Sequence, residues 1–125
     1  MLSPMMQQYM KIKDEYKDAI LMYRLGDFYE MFFDDARKAA AALDIALTAR
    51  DTEKKIPMAG IPYHALNIYL GRLIKAGYRA AICEQIGEPN PRGLVERRII
   101  RVVTPGTYLP EDASAESAHL AAIFP

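Results

Sequence analysis

The sequence predicts an α/β fold, a mixed β-sheet flanked by helices in a single compact domain. Three observations predict it. Segments whose apolar residues recur at helical spacing alternate with short extended runs along the chain. Clusters of Gly, Pro, Asn and Asp separate those segments. A length of 125 residues with 51% hydrophobic content supplies one core, and is too short for two.

Residues 4–17 read as a helix, because Pro4 suits a first helical turn and Met6, Tyr9, Met10 and Lys13 form a stripe. Residues 19–25 are a continuous apolar run of the kind a buried strand carries. Gly26-Asp27 is a two-residue hairpin signal, and residues 28–33, rich in aromatics, form the second strand. Asp34 and Asp35 are expected to cap a helix that runs to about Leu43, since carboxylates favour the positive N-terminal end. The small residues 39–42 permit close packing of that helix on the sheet. A short strand is expected over 45–48, a polar loop over 51–55 and an extended, proline-bounded segment over 56–62. Residues 63–76 form an amphipathic helix whose apolar face is Leu66, Tyr69, Leu70, Leu73 and Ile74, with Gly77 ending it. Strands over 78–84 and 95–104 flank a turn-rich loop over 87–93.

After Pro105-Gly106 the composition turns acidic and small, and residues 110–117 read as a linker. Residues 119–124 resume a strand-like pattern. The expected organisation is therefore one domain over residues 1–110, with residues 111–125 as linker and the first strand of a further domain.

Lys+Arg and Asp+Glu each number 16, so the formal net charge is zero. Nucleic-acid binders usually carry a basic excess. Composition thus argues mildly against nucleic acid, and any DNA contact must use a local basic patch or borrow affinity from a larger protein. The single cysteine, Cys83, excludes an internal disulfide and fits a reducing compartment; its apolar strand marks it as a core residue. There is no run of roughly 18 apolar residues that would span a membrane, and no secretory signal pattern, so the expected location is cytoplasmic. No phosphate-cradling Gly-rich loop or nucleophile motif is present.

The segment Gly26-Asp27-Phe28-Tyr29-Glu30 stands out. On a strand, Phe28 and Glu30 share one face, about 7 Å apart. A ring beside a carboxylate is a poor phosphate surface and a plausible base reader: the ring can wedge between stacked bases, and the carboxyl group can hydrogen-bond an exposed base edge. The plainer reading is a core strand whose glutamate points to solvent. Arg92, Arg97, Arg98 and Arg101 flank or lie on the last strand, with Arg97 and Arg101 expected on one face. They read either as a solvated strand face or as DNA-backbone anchors, Arg97, Arg98 and Arg101 above all. Arg50, Lys54 and Lys55 form a second basic group with the same two readings.

A resemblance bears on the reading of the Phe28–Glu30 segment. The blocks Met5-Met6-Gln7-Gln8-Tyr9, Tyr23-Arg24-Leu25-Gly26-Asp27-Phe28-Tyr29-Glu30 and Asp34-Asp35-Ala36 resemble the opening of the MutS family of DNA mismatch-repair proteins. So do Leu43-Asp44-Ile45-Ala46-Leu47-Thr48, Pro57-Met58-Ala59-Gly60-Ile61-Pro62-Tyr63-His64 and Ala81-Ile82-Cys83-Glu84-Gln85-Ile86-Gly87. The stretch from Val95-Glu96-Arg97-Arg98 to Val103-Thr104-Pro105-Gly106-Thr107 completes the set in family order. The resemblance implies the N-terminal mismatch-recognition domain, a DNA-binding module and not an enzyme. It implies that Phe28 stacks on a mispaired base from the minor groove and that Glu30 hydrogen-bonds it. It further implies a homodimeric clamp on mispaired or looped double-stranded DNA, with ATP and Mg used in a separate C-terminal domain and no cofactor in this one. Residues 120–123 resemble the first strand of the family's connector domain. Leu25 stands where some relatives carry Met and receives no contact.

Two other classes compete. A metal-dependent nuclease would use Glu53-Lys54-Lys55 with Asp44 or Asp51, two carboxylates holding a divalent ion and a lysine positioning water. A protein-interaction module would present Phe28 and Phe32 to a partner. Metal-dependent cleavage marks the first, and association without DNA marks the second.

Overall fold

A computed structural model describes residues 3–50, 56–88, 91 and 93–106. The polar loop 51–55, Arg92, and the expected linker and connector strand over 110–125 lie outside the described residues.

The chain opens with α1 (Pro4–Lys13), capped by Ser3, whose Oγ accepts from the Met6 N–H at 3.2 Å. α1 is shorter than the expected 4–17. Residues 14–18 continue no apolar stripe, and the Lys13 ammonium donates instead to the Tyr16, Lys17 and Ala19 carbonyls. Strand β1 (Ile20–Leu25) joins strand β2 (Phe28–Phe32) through Gly26-Asp27, with Leu25 opposite Phe28. Gly26 has φ 63°, the left-handed conformation that such a two-residue turn requires.

Helix α2 (Phe33–Leu43) follows with no intervening loop, at the cost of a positive φ of 56° at Phe33. The expected Asp34–Asp35 cap does not form. Phe32 occupies the cap position without a side-chain hydrogen bond, and Asp34 pairs with Arg37 on the surface. Asp35 turns inward, accepts from the Leu21 N–H at 3.0 Å and pairs with Lys13 at 2.9 Å. One carboxylate thus ties together the end of α1, the start of β1 and the first turn of α2.

The short strand β3 (Thr48–Ala49) lies slightly later than expected, and β4 (Pro57–Pro62) is the proline-bounded extended segment. A 3-10 turn (Tyr63–Ala65) leads into α3 (Leu66–Lys75), then β5 (Ala80–Ile86) and β6 (Glu96–Val103). The sheet order is β3-β4-β2-β1-β5-β6, parallel between β1 and β5 and antiparallel at the other pairings.

Both faces of the sheet are covered. Ile20, Met22, Tyr29, Met31, Ile61 and Ile82 pack against Ala36, Ala39 and Leu43 of α2 and Leu70, Leu73 and Ile74 of α3. The small side chains of α2 allow its close approach. On the opposite face Leu21, Tyr23, Phe32 and Cys83 pack against Met6 and Tyr9 of α1. Edge-to-face contacts of Tyr9 with Tyr23 (5.5 Å) and Phe32 (4.9 Å) hold α1 down, each worth about 0.5–1.5 kcal/mol beyond area burial. Strand β1 carries a continuous apolar run because it is buried from both sides.

β6 departs from simple alternation. A bulge opposite Ile82/Cys83 leaves Ile100 unpaired, so Ile99 faces Cys83 while Arg101 faces Ile82. Arg97 therefore lies on the α1 side and Arg101 on the α2/α3 side, and the expected sharing of one face by these two arginines is overturned.

Candidate nucleic-acid interface

The β1–β2 hairpin is the centre of the candidate site. Phe28 starts β2, between Leu25 of β1 and Pro62 of β4. It is 45% exposed and belongs to neither core cluster. Glu30 follows two residues later, opposite Tyr23 and Gly60, so both side chains lie on the α1 side of the sheet. Towards the α2 end of the strand that face is covered, because Phe32 is fully buried under Tyr9. Towards the turn it is open at Phe28. Phe32 is thus unavailable to a partner, which removes half of the aromatic surface expected for an interaction module.

Glu30 is half-buried. Its carboxyl group lies across Gly60, where any Cβ would come within 2.4 Å of Oε1. Burial raises its pKa above the usual carboxylate value, and the positive charge of Arg50 works in the opposite direction. Gly60 was not singled out by sequence reasoning. A glycine inside a strand between Ala59 and Ile61 was the available signal, since it marks a close approach.

The turn preceding Phe28 is held from several sides. Arg24 Nε donates to the Gly26 carbonyl at 2.6 Å, and Gln85 Oε1 accepts from the Gly26 N–H at 3.0 Å. The Tyr63 N–H donates to the Asp27 carbonyl at 2.8 Å. On the α2/α3 side, Arg24 pairs with Glu84 at 3.0 Å and stacks over the Tyr63 ring at 4.1 Å. The Tyr29 hydroxyl donates to Glu84; burial, and then this carboxylate, push its pKa up to about 12.

Arg97, expected to contact the DNA backbone, is only 8% exposed. Its Nε donates to the Arg24 carbonyl at 2.7 Å and its terminal nitrogens to Gln8 Oε1 at 2.7 Å and Gln85 Oε1 at 3.4 Å. The guanidinium lies over the Tyr23 ring at 4.5 Å. A guanidinium committed in this way is buried, so Arg97 does not lie on the surface where a backbone anchor was expected. Arg98, paired with Glu96 at 2.9 Å, and Arg101 are exposed; both lie on the α2/α3 side of the edge strand. Arg50 is exposed, whereas Arg92, Lys54 and Lys55 lie outside the described residues. So do Asp51 and Glu53 of the nuclease reading. Among the described residues, no group of three or more His, Cys, Asp or Glu is placed to hold a metal ion. Cys83 is buried and free, and His64 is exposed in the 3-10 turn. No described helix is long and apolar enough to cross a membrane.

Phe28 and Glu30 share one face of β2, as the period of two predicts. The family model of MutS domain I matches residues 3–112. The chain belongs to the MutS domain I family. It is 60% identical over 111 residues to the DNA mismatch repair protein MutS of Clostridium kluyveri, covering 86% of this chain and 13% of that protein. It is 54% identical over 121 residues to the MutS of Caldanaerobacter subterraneus subsp. tengcongensis, covering 94% of this chain and 14% of the relative. With the MutS of Petrotoga mobilis the identity is 55% over 124 residues, covering 98% of this chain and 15% of the relative. The chain thus spans only about a seventh of the length of these MutS relatives, all of them bacterial.

Proposed function

We propose that this domain recognises mispaired or looped double-stranded DNA in mismatch repair, with Phe28 as the wedge and Glu30 as the base-edge contact. The observation that carries this reading is the exposed Phe28 ring on the same open face as a half-buried Glu30. Inserting a ring unstacks a base step at a cost of about a few kcal/mol and kinks the duplex. A mispair has already lost part of its pairing and stacking, so insertion costs less there. Discrimination follows from deformability, with no particular sequence being read.

Glu30 adds selectivity in two ways. Ionised, it repels phosphates and lowers affinity for ordinary duplex; it also accepts from an exposed N–H such as thymine N3–H. Facing a purine N7 it must be protonated to donate, and burial over Gly60 favours that form. Arg98 and Arg101 offer backbone contacts from the sheet edge; Arg97 does not.

With zero net charge, the domain alone binds DNA weakly. It works within a larger homodimeric protein in which one subunit's wedge engages the mispair. ATP and Mg belong to another domain of that protein. The domain itself is not an enzyme.

The test is titration of labelled duplexes, one with a G·T mispair and one fully paired, at low salt, with the full-length protein. Wild type should prefer the mispair, and Phe28→Ala should remove that preference. A Phe28→Ala protein that still prefers the mispair overturns the wedge assignment.

A further inference from the structure

Phe28 does its proposed work only if the turn beneath it is stiff. A ring pressed into a base stack is pushed back by the stack. If the Gly26-Asp27 turn yields, the strain goes into the hairpin and the duplex is not kinked. The difference in deformability between mispaired and paired DNA is then poorly sensed. A two-residue turn has little stiffness of its own, so its supports matter.

Part of that support meets in one half-buried cluster on the α1 side, with Arg97 and Tyr23 its buried members. Gln85 Oε1 accepts from the Gly26 N–H at 3.0 Å and from Arg97 at 3.4 Å. Arg97 Nε grips the Arg24 carbonyl at 2.7 Å, one peptide short of Leu25 and the turn. Behind Arg97, Gln8 of α1 accepts from Arg97 at 2.7 Å and from the Tyr23 hydroxyl, while its own amide donates to the Val95 carbonyl at 2.9 Å. The chain of contacts runs from the wedge turn through β5 and β6 into helix α1.

The acceptors that hold Arg97 are neutral: two side-chain amides and the backbone carbonyls of Arg24 and Val95. For fold stability alone, an apolar side chain beside Tyr23 would fill this position without burying a charge. A guanidinium supplies what an apolar group cannot, several rigid donors aimed in fixed directions.

We propose that Gln85 and Arg97, braced by Gln8, are positioning residues that set the stiffness and height of the Phe28 wedge without touching DNA. This rests on the wedge reading above, and the experiment keeps the two apart. The full-length protein carries Gln85→Met, which fills the same volume without an acceptor, or Gln85→Glu, which restores one. Arg97→Lys, which keeps the charge and loses the fork, is the second variant. Each is titrated with the G·T and paired duplexes, one set carrying 2-aminopurine beside the mispair to report unstacking.

Gln85→Met and Arg97→Lys should lower the mispair-to-paired affinity ratio about three- to tenfold, the loss of one or two hydrogen bonds, and reduce the 2-aminopurine signal. Gln85→Glu should recover most of both. Partial unfolding would scale both affinities together and leave their ratio unchanged. A wild-type ratio and signal in Gln85→Met and Arg97→Lys, in a protein where Phe28→Ala abolishes preference, overturns the positioning role and leaves the wedge intact. A wild-type ratio in Phe28→Ala overturns the wedge itself.

Discussion

Replacing Gly60 with alanine should disable Glu30 while leaving the fold standing. An ideal Cβ at Gly60 lies 2.4 Å from Glu30 Oε1 and 2.7 Å from its Cδ and Oε2, whereas ordinary contact begins at 3.4 Å. The carboxyl group must therefore retreat by about 1 Å (3.4 minus 2.4). The obstacle is the far end of a flexible side chain, and Gly60 is not among the glycines with positive φ. Alanine also restricts the unfolded chain, so the net change in stability should stay within about 1 kcal/mol. Hydrogen bonds tolerate only about 0.5 Å of variation in length, so a 1 Å retreat would remove the proposed base-edge contact. The expected loss is about 1–1.5 kcal/mol of mispair binding, roughly five- to tenfold. Thermal denaturation and titration of G·T and paired duplexes measure the two quantities separately. The double variant with Glu30→Ala should bind no worse than Glu30→Ala alone, because both changes remove one contact. If Gly60→Ala keeps the wild-type mispair ratio while Glu30→Ala loses it, the carboxyl does not act from its position over Gly60 and the reasoning fails.

Three further outcomes follow from the same geometry. Asp35→Ala leaves the Leu21 N–H without its acceptor and Lys13 without its carboxylate; urea denaturation should show a loss of about 3 kcal/mol, and a loss below about 1 kcal/mol would mean that this carboxylate is not a structural tie. Glu30 has a folded-state pKa above its ordinary 4.5, so its contribution is fully present below that value and is lost as pH rises through the folded pKa. Glu30→Gln should accordingly be more stable than wild type at neutral pH and lose that advantage in acid; an advantage that is constant across pH would contradict the burial argument. Cys83, fully buried with a thiol pushed up to about 11 by desolvation, should resist iodoacetamide at pH 8 until the protein is unfolded; rapid labelling of the native domain would show an opening at β5.

The elements that were legible in the sequence are those whose signal is local. Gly26-Asp27 between two apolar runs needs only the turn conformation to declare a hairpin, and period two then puts Phe28 and Glu30 on one face. The apolar stripe of α3 likewise needs no partner to be recognised. What the sequence hid is set by contacts distant along the chain. Asp34-Asp35 has the form of a cap, yet Asp35 turns inward, because the β1–β2 pairing ends at Tyr23 and Glu30 and the Leu21 N–H takes Asp35 as its acceptor. Four arginines near one strand have the form of a basic patch, yet one extra residue at Ile100 turns Arg101 away from Arg97. Arg97 then faces Gln8, 89 positions earlier, and Gln85, 12 positions earlier, and no spacing rule connects them. The proposed reading asks little of net charge, which is zero. A wedge would require an exposed ring on a stiff support, and Arg97, which composition counts as a candidate for phosphate, is buried against Gln8, Gln85 and Tyr23.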